Sequence, residues 1–284
     1  HEFSARVAAL GPGTNGPPVG TRVAVEPAIA CGKCELCEEG HPNLCENILF
    51  CSTPPTSGAL QEYMVHPAEL CFPLPDKVSN DQGAMLEPLG IALHAVRLAK
   101  LRPGDTAAIL GSGPVGLLTL QVALISGARA VWMTDLIPER LAMAEKLGAK
   151  GTFGADEGDP VAWVMDQTGG RGVDVAFEAA WAEDTVAQAA QVARRGGKLL
   201  MIGIPREDEA LFPGHTVRRK GLTIKYVRRM KHTYPRAIQM VADGLIDVDS
   251  IVTHRYPIER VAEAYDLVAS RADGVMKVVV EVSK

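Results

Sequence analysis

Residues 106–116 read TAAILGSGPVG, and this stretch decides the fold. Its first five residues are an apolar run that predicts a buried strand, and a helical pattern follows as far as Ile125. A strand that enters a helix through G-x-G-x-x-G is typical of a dinucleotide-binding βαβ unit. Gly111 would allow the tight turn, Gly113 the close approach of a pyrophosphate, and Gly116 the packing of the helix on its strand. Plain turns without a ligand are the alternative.

The next predicted strand, 130–134, indicates which dinucleotide would bind. It ends in Asp135, nineteen residues beyond Gly116. A carboxylate at this place can accept hydrogen bonds from a ribose diol, and it would repel the 2′-phosphate of NADP. The sequence therefore predicts NAD as the cofactor.

Strands and helices continue to alternate after Asp135. Alternation of this kind predicts an α/β fold with a doubly wound parallel sheet that is covered on both faces. Beyond residue 226 the pattern changes, and we expect the chain to return to the unit that precedes the sheet, with domains over 1–89, 90–229 and 230–284. The predicted elements are helix 138–147, strand 173–178, helix 184–193, strand 198–202, helices 235–243 and 258–269, and strand 275–282.

Four cysteines dominate the earlier region, which is rich in Gly and Pro and is predicted to be mainly β. They follow the spacing C-x2-C-x2-C-x7-C, and their thiolates can converge on one ion at Cys31, Cys34, Cys37 and Cys45. The sequence thus predicts a structural zinc site. A pair of disulfides in a secreted protein is the rival interpretation.

Composition narrows the class of partner. The 284 residues carry a formal net charge of −5, whereas nucleic acid or an anionic membrane would require a basic face. No apolar run is long enough to span a bilayer. We expect a small-molecule partner, no nucleic acid, no membrane, and a cytoplasmic location. Residues 3–10, close to the first residue His1, have the pattern of a strand that has already begun. We therefore expect that a preceding segment has been lost.

These motifs, together with FCSTPP at 50–55, GALQEY at 58–63 and LEPL at 86–89, resemble the zinc-containing medium-chain alcohol dehydrogenases. Within that family the chain is most similar to sorbitol, xylitol and other polyol dehydrogenases. The resemblance implies a Rossmann domain joined to a GroES-like, mainly-β catalytic domain that is N-terminally truncated here. It also implies a homo-oligomer, either a dimer or a tetramer, and transfer of hydride from a secondary alcohol to NAD.

The resemblance also assigns a catalytic zinc site. Its ligands by motif position are His1, Glu2 and Glu87, while the family's cysteine would lie upstream of His1. We therefore expect the catalytic zinc to be weakly held or absent, and turnover by this chain to be weak or absent. A cloning remnant at residues 1–3 and a helix cap at Glu87 are the alternatives.

Further residues follow from the resemblance by position. The substrate pocket would be lined by Phe50, Thr53 and Arg229. A turn beside the zinc lobe is the alternative for Phe50 and Thr53. The basic neighbours of Arg229 could equally form a solvated basic face, namely Arg218, Arg219, Lys220, Arg228 and Lys231. Cofactor contacts would come from Gly111, Gly113, Pro114, Val115, Gly116, Asp135, Arg140, Ile202, Gly203, Ile204 and Arg229. Two other functions stay open: a non-catalytic NAD-binding protein of the same fold, and a threonine or simple alcohol dehydrogenase.

Overall fold

The protein is described by a computed structural model that covers residues 1–182, 184–204 and 209–282. The chain divides into two compact units. The first comprises residues 1–90 and 228–284, and the second comprises 91–227. Among the described residues, no helix is both long enough and apolar enough to cross a membrane.

The first unit begins with short strands and turns. β1 pairs antiparallel with β2, β2 with β5, and β3 with β4. The predicted strand over 3–10 is much shorter in the structure, because only Ser4–Arg6 finds partners on β2. The elements are β1 Ser4–Arg6, β2 Arg22–Val25, β3 Ala28–Ile29, α1 Glu35–Glu38, β4 Leu49–Phe50, β5 Cys71–Pro73 and α2 Asn80–Ala99.

The second unit is a parallel sheet with intervening helices. Its described strands have the order β11-β10-β9-β6-β7-β8, which is the doubly wound order of a dinucleotide-binding sheet. The elements are β6 Thr106–Leu110, α3 Pro114–Ile125, β7 Ala130–Asp135, α4 Pro138–Lys146, β8 Gly151–Gly154, α5 Pro160–Gln167, β9 Val173–Glu178, α6 Thr185–Val192, β10 Ala193–Met201, α7 Gly214–Lys220 and β11 Thr223–Tyr226. The predicted parallel sheet is therefore confirmed.

The strand order reverses between β6 and β9, and this topological switch point positions the loop after β6. Ligands of open α/β sheets bind outside the carboxyl ends of the strands at such a point. The core beneath it is apolar and closed, with Ala108, Ala176 and Leu199 from three neighbouring strands packed together. β10 begins five residues before its predicted start, because its register shifts between Ala193 and Lys198 and its first residues lack an apolar pattern.

The chain then completes the first unit. β12 and β13 pair in parallel, and a 3-10 turn at Ile258–Arg260 replaces the start of the helix predicted over 258–269. Pro257 lies directly before this turn, and the α-helix proper begins at Val261. The remaining elements are α8 Tyr234–Ala242, β12 Val252–Pro257, α9 Val261–Ser270 and β13 Lys277–Glu281.

Candidate metal centres and dinucleotide loop

The four cysteines of the spacing motif converge in the first unit. The Sγ atoms of Cys31, Cys34, Cys37 and Cys45 lie within 4.8 Å of one another, and all four thiols are free. The backbone N–H of Cys31 donates to the Sγ of Cys45 over 3.3 Å. A hydrogen bond from the N–H of Lys33, above all, lowers the pKa of the Cys31 thiol from its ordinary value. Four convergent sulfurs suit a closed, tetrahedral zinc site.

A second group of ligand atoms lies at the start of the chain and on α2. One ligand atom each from His1, Glu2 and Glu87 lies within 4.8 Å of the other two. The hydroxyl of Ser52 donates to the carbonyl of Cys51 over 2.6 Å, so toward His1 its oxygen can only accept. The Nδ1 of His1, 3.2 Å from that oxygen, therefore carries the proton. The Nε2 lone pair of His1 is left available to a metal.

Two buried carboxylates of this region, Glu87 and Glu26, are not fully neutralised by neighbouring positive charges. Burial, and after it the negative charge of Glu26, raises the pKa of Glu87 to about 8. Burial likewise raises the pKa of Glu26 to about 7, against a hydrogen bond from Ala28 and the charge of Arg229. Glu2 is different, because it forms an ion pair with Lys277, whose pKa burial lowers to about 8. Glu87 thus lies where a cation would relieve its charge.

Of the three predicted pocket residues, Phe50 lies beside His1, and Arg229 lies over Phe50. The ring centroids of Phe50 and His1 are 5.0 Å apart, and the guanidinium carbon of Arg229 lies 3.9 Å from the Phe50 centroid. The Nη1 of Arg229 is buried, and no described residue forms a hydrogen bond with it. Thr53 is exposed in the turn that follows β4, where its N–H donates to the carbonyl of Phe50.

The loop after β6 in the second unit requires two of its three glycines for steric reasons. Gly111 has a φ of +105°, and a Cβ built there would lie 2.8 Å from the carbonyl carbon of Ala179. A Cβ built on Gly116 would overlap the carbonyl oxygen of Gly111. A Cβ at Gly113 would meet only Arg140, at 3.8 Å. Pro114 and Val115 begin α3, whose first backbone N–H groups are free to bind an anion.

Asp135 holds this loop and remains near its surface. Its carboxylate accepts hydrogen bonds from the N–H groups of Ser112, over 2.6 Å, and Ile137, over 3.0 Å. Arg140 approaches the same carboxylate at 4.0 Å. Among the described residues, the buried Oγ of Ser112 and Nε of Arg140 have no hydrogen-bond partner. Orphaned donors beside an open glycine fit a phosphate and ribose of a dinucleotide.

The predicted nicotinamide segment leaves the carboxyl end of β10. The N–H groups of Ile202 and Gly203 donate to the carbonyl of Glu178 over 2.8 and 3.1 Å. A Cβ on Gly203 would lie 2.5 Å from the Oε2 of Glu178, so this position leaves no room for a side chain. Ile204 is exposed, as an apolar contact for a bound ring would be.

Sequence reasoning missed several residues of these sites. Glu178 closes an apolar strand, is fully buried, and accepts hydrogen bonds from Ala180, Trp181 and Thr185. Glu26 and Lys277 are single charges in apolar stretches, and that isolation is the signal that could have marked them. The role of Ser52 has no such signal in the sequence.

Comparison with known proteins identifies the family of the chain. The family description "Alcohol dehydrogenase GroES-like domain" matches residues 1–76, and "Zinc-binding dehydrogenase" matches residues 114–243. Sorbitol dehydrogenase of Bacillus subtilis is 37% identical over 280 residues, which cover 99% of this chain and 79% of that enzyme.

Solved structures show the same relationship. An Escherichia coli oxidoreductase of unknown specificity has a TM-score of 0.95 at 34% identity, over 100% of this chain and 82% of that one. The 2R,3R-butanediol dehydrogenase of Bacillus subtilis has a TM-score of 0.88 at 33% identity, over 99% and 79%. The resemblance inferred from the motifs is confirmed, and the chain belongs to the zinc-type medium-chain alcohol and polyol dehydrogenases, a family of oxidoreductases that combine a GroES-like domain with a Rossmann sheet.

Proposed function

We propose that this chain is an NAD- and zinc-dependent dehydrogenase that oxidises a secondary hydroxyl of a polyol. One observation carries the choice of a polyol over a simple alcohol. The guanidinium of Arg229 is held over Phe50, beside His1, with a buried Nη1 donor that has no partner among the described residues. A donor in this state is stabilised by an additional hydroxyl group of the substrate.

The three ligand residues suit the zinc that the family implies. A ring nitrogen of His1 and carboxylate oxygens of Glu2 and Glu87 would bind it, since one ligand atom from each already converges. The contact of Nδ1 with Ser52 favours Nε2 as the histidine ligand. Zinc held there would supply a Lewis acid for the substrate hydroxyl, and bound NAD would supply the hydride acceptor. Ser52 fixes the tautomer of His1, and Lys277 holds Glu2 in place. Arg229 and Phe50 orient the polyol chain by hydrogen bonding and contact.

We propose that the two zinc sites differ in affinity. The first offers four thiolates, whereas the second offers one imidazole and two carboxylates from the described residues. Sulfur donors bind zinc more tightly than carboxylates do. Stepwise chelation followed by elemental analysis should remove zinc from the second site first. Release of both zincs at the same chelator concentration would contradict the difference.

NAD is proposed over NADP because of Asp135. Its carboxylate lies where a ribose diol would bind and would repel a 2′-phosphate, although Arg140 at 4.0 Å offsets part of that charge. Calorimetry should give tighter binding of NAD than of NADP for the wild type. Asp135→Ser should reduce the preference, while Asp156→Ser, at an exposed acid, should leave it unchanged.

The function is tested by NADH formation with zinc supplied. The panel comprises sorbitol, xylitol, other polyols, threonine and simple alcohols. Polyols should be oxidised with the highest kcat/KM. Arg229→Lys should raise the polyol KM, and the exposed neighbour Arg228→Lys should not. NAD binding without NADH from any substrate would favour the non-catalytic alternative, and a preference for threonine or a simple alcohol would overturn the polyol assignment.

Two further proposals concern the setting of the enzyme. The thiolate site needs reduced cysteines, which favours a reducing compartment such as the cytoplasm. Strand β11 lies at the edge of the described sheet, and an open edge can pair with a second copy, so we propose a homo-oligomer. Light scattering would distinguish a dimer or tetramer from a monomer.

A further inference from the structure

We propose that the cysteine lobe, residues 31–45, is a positioning device for the substrate-binding Arg229. In this inference Asn43 and His41 clamp the arginine turn, residues 228–232, from both sides of Arg229. Metal bound by the four cysteines then sets the affinity for substrate as well as the stability of the lobe. The inference deepens the proposed function and rests on it for the role of Arg229.

The arginine turn has a backbone that needs support. Arg229 has a φ of +55° and His232 a φ of +50°. Residues with a Cβ seldom adopt this left-handed region, because the Cβ approaches the following carbonyl oxygen. Such conformations persist only where the surroundings determine them, and they concentrate at functional sites. The question is therefore which contacts hold this turn.

The cysteine lobe supplies contacts on both sides of Arg229. The side-chain amide of Asn43 donates to the carbonyl of Arg228 over 3.0 Å. The ammonium of Lys231 lies 3.0 Å from the Nδ1 of His41, to which it can donate. Asn43 is only 7% exposed and belongs to the 3-10 turn Pro42–Leu44. A buried amide with a single long-range partner is costly to leave without that partner.

Helix α2 also packs against this turn. Met230 is buried, and a Cβ built on Gly90 would overlap its sulfur atom. The turn thus contacts both α2 and the cysteine lobe. The side chain of Arg229 in this turn lies over Phe50, whose ring is 5.0 Å from that of His1.

The clamp depends on the metal through the chain itself. His41 and Asn43 lie between the third and fourth cysteines of the motif, Cys37 and Cys45. When both thiolates bind one ion, the segment between them loses most of its conformational freedom. Release of the ion would free Asn43, and the arginine turn would lose its anchor.

The experiment compares Asn43→Asp with Asn47→Asp. The first replaces the donating amide of Asn43 by an acceptor of the same shape, and the second makes the same change at an exposed position. Hydrogen–deuterium exchange of peptides covering 226–233 should become faster in Asn43→Asp and stay unchanged in Asn47→Asp. Zinc content at the cysteines should stay at one equivalent in both.

Kinetics separates positioning from general damage. Loss of one buried hydrogen bond should raise the polyol KM roughly tenfold while kcat changes by about twofold or less. If Asn43 acts through Arg229, Asn43→Asp should have no further effect on KM in an Arg229→Lys background. His41→Ala tests the other side of the clamp, and it serves alone if Asn43→Asp fails to fold.

The outcomes are distinguishable from failure of the proposed function. A wild type that forms no NADH would refute the dehydrogenase, whereas the exchange measurement still tests the clamp. Unchanged exchange over 226–233 in a zinc-loaded Asn43→Asp protein would overturn the inference. An equal rise in KM with and without Arg229 would overturn it as well, because Asn43 would then act elsewhere.

Discussion

Two buried carboxylates, one in each unit, have opposite surroundings. Asp174 in the second unit accepts hydrogen bonds from the N–H and Oγ1 of Thr106, each at 2.9 Å, and from Arg171 and Arg194, at 2.7 and 2.6 Å. Burial alone would raise its pKa, but these donors hold the pKa well below its usual range. Its charge is fully compensated within the fold.

Glu87 in the first unit is as well buried, at 5% exposure, yet no described residue donates a hydrogen bond to its carboxylate. Burial and the charge of Glu26 raise its pKa instead. The direction of the pKa shift and the number of hydrogen-bond donors distinguish two kinds of buried acid. A paired acid such as Asp174 maintains the scaffold, whereas we propose that an incompletely compensated acid such as Glu87 serves to bind a cation.

The largest effect should follow removal of the compensated acid. Asp174→Ala should lower the free energy of unfolding of the second unit by about 3 kcal/mol at pH 7, because Arg171, Arg194 and Thr106 lose their partner. The three tryptophans all lie in 91–227, so urea unfolding followed by their fluorescence reports this unit. Asp156→Ala, at an exposed acid, is the control.

The stabilisation by Asp174 should depend on pH in a defined direction. The folded pKa of Asp174 lies below its unfolded value of about 4, so the stabilisation by its charge is complete above that value and is lost as the pH falls. The gap between wild type and variant should shrink in acid. A gap independent of pH would mean that the charge of Asp174 is not what stabilises the unit.

The uncompensated acid should behave in the opposite way. The folded pKa of Glu87, about 8, lies above its unfolded value, so its contribution is present in acid and is lost as the pH rises toward 8. Metal-free Glu87→Gln should match the wild type at about pH 4.5 and exceed its stability by a few kcal/mol at about pH 8. Calorimetric unfolding measures this, with the exposed Glu69→Gln as control. Equal pH profiles for Glu87→Gln and wild type would remove the contrast with Asp174.

A smaller effect should come from one donor of the compensated acid. Thr106→Val removes the hydroxyl that donates to Asp174 and also accepts from its N–H, over 3.2 Å. The expected loss is about 1.5 kcal/mol, and tryptophan-detected unfolding measures it. In the Asp174→Ala background the loss should shrink. Full additivity would show that the two residues act separately.

The smallest effect concerns the coupling between two acids of the first unit. Glu26→Gln removes a negative charge that raises the pKa of Glu87, so that pKa should move toward its ordinary value. The change corresponds to about 1 kcal/mol. Carbon-13 NMR of the side-chain carboxyl of Glu87 can follow it, with Glu69→Gln again as control. An unchanged pKa would show that burial alone accounts for the raised value.

Local pattern predicted most of the scaffold. The strand, glycine turn and helix over 106–125 lie within one short stretch, and so does the cysteine motif, which is why both could be recognised. The start of β10 could not, because its first residues are paired by a shifted register that no periodicity reveals. The residues at which a strand begins and ends depend on the strand with which it pairs. A local stretch of sequence does not identify that partner strand.

Long-range partners escaped prediction for the same reason. Glu2 is an apparent metal ligand by motif, but its ion pair with Lys277 joins residues at the two ends of the chain. The anchor of Arg229 comes from Asn43, 185 positions before Arg228. Only the folded chain brings such residues together.

The glycine loop has a consequence for engineering of coenzyme binding. The fold requires glycine at positions 111 and 116 for steric reasons. Gly111 and Gly116 therefore do not distinguish a loop that binds a ligand from one that does not. Gly113 has room for a methyl group, so steric fit within the described residues does not require a glycine there, whereas close approach of a pyrophosphate would. Gly113→Ala should therefore leave the fold unchanged and prevent the coenzyme from binding.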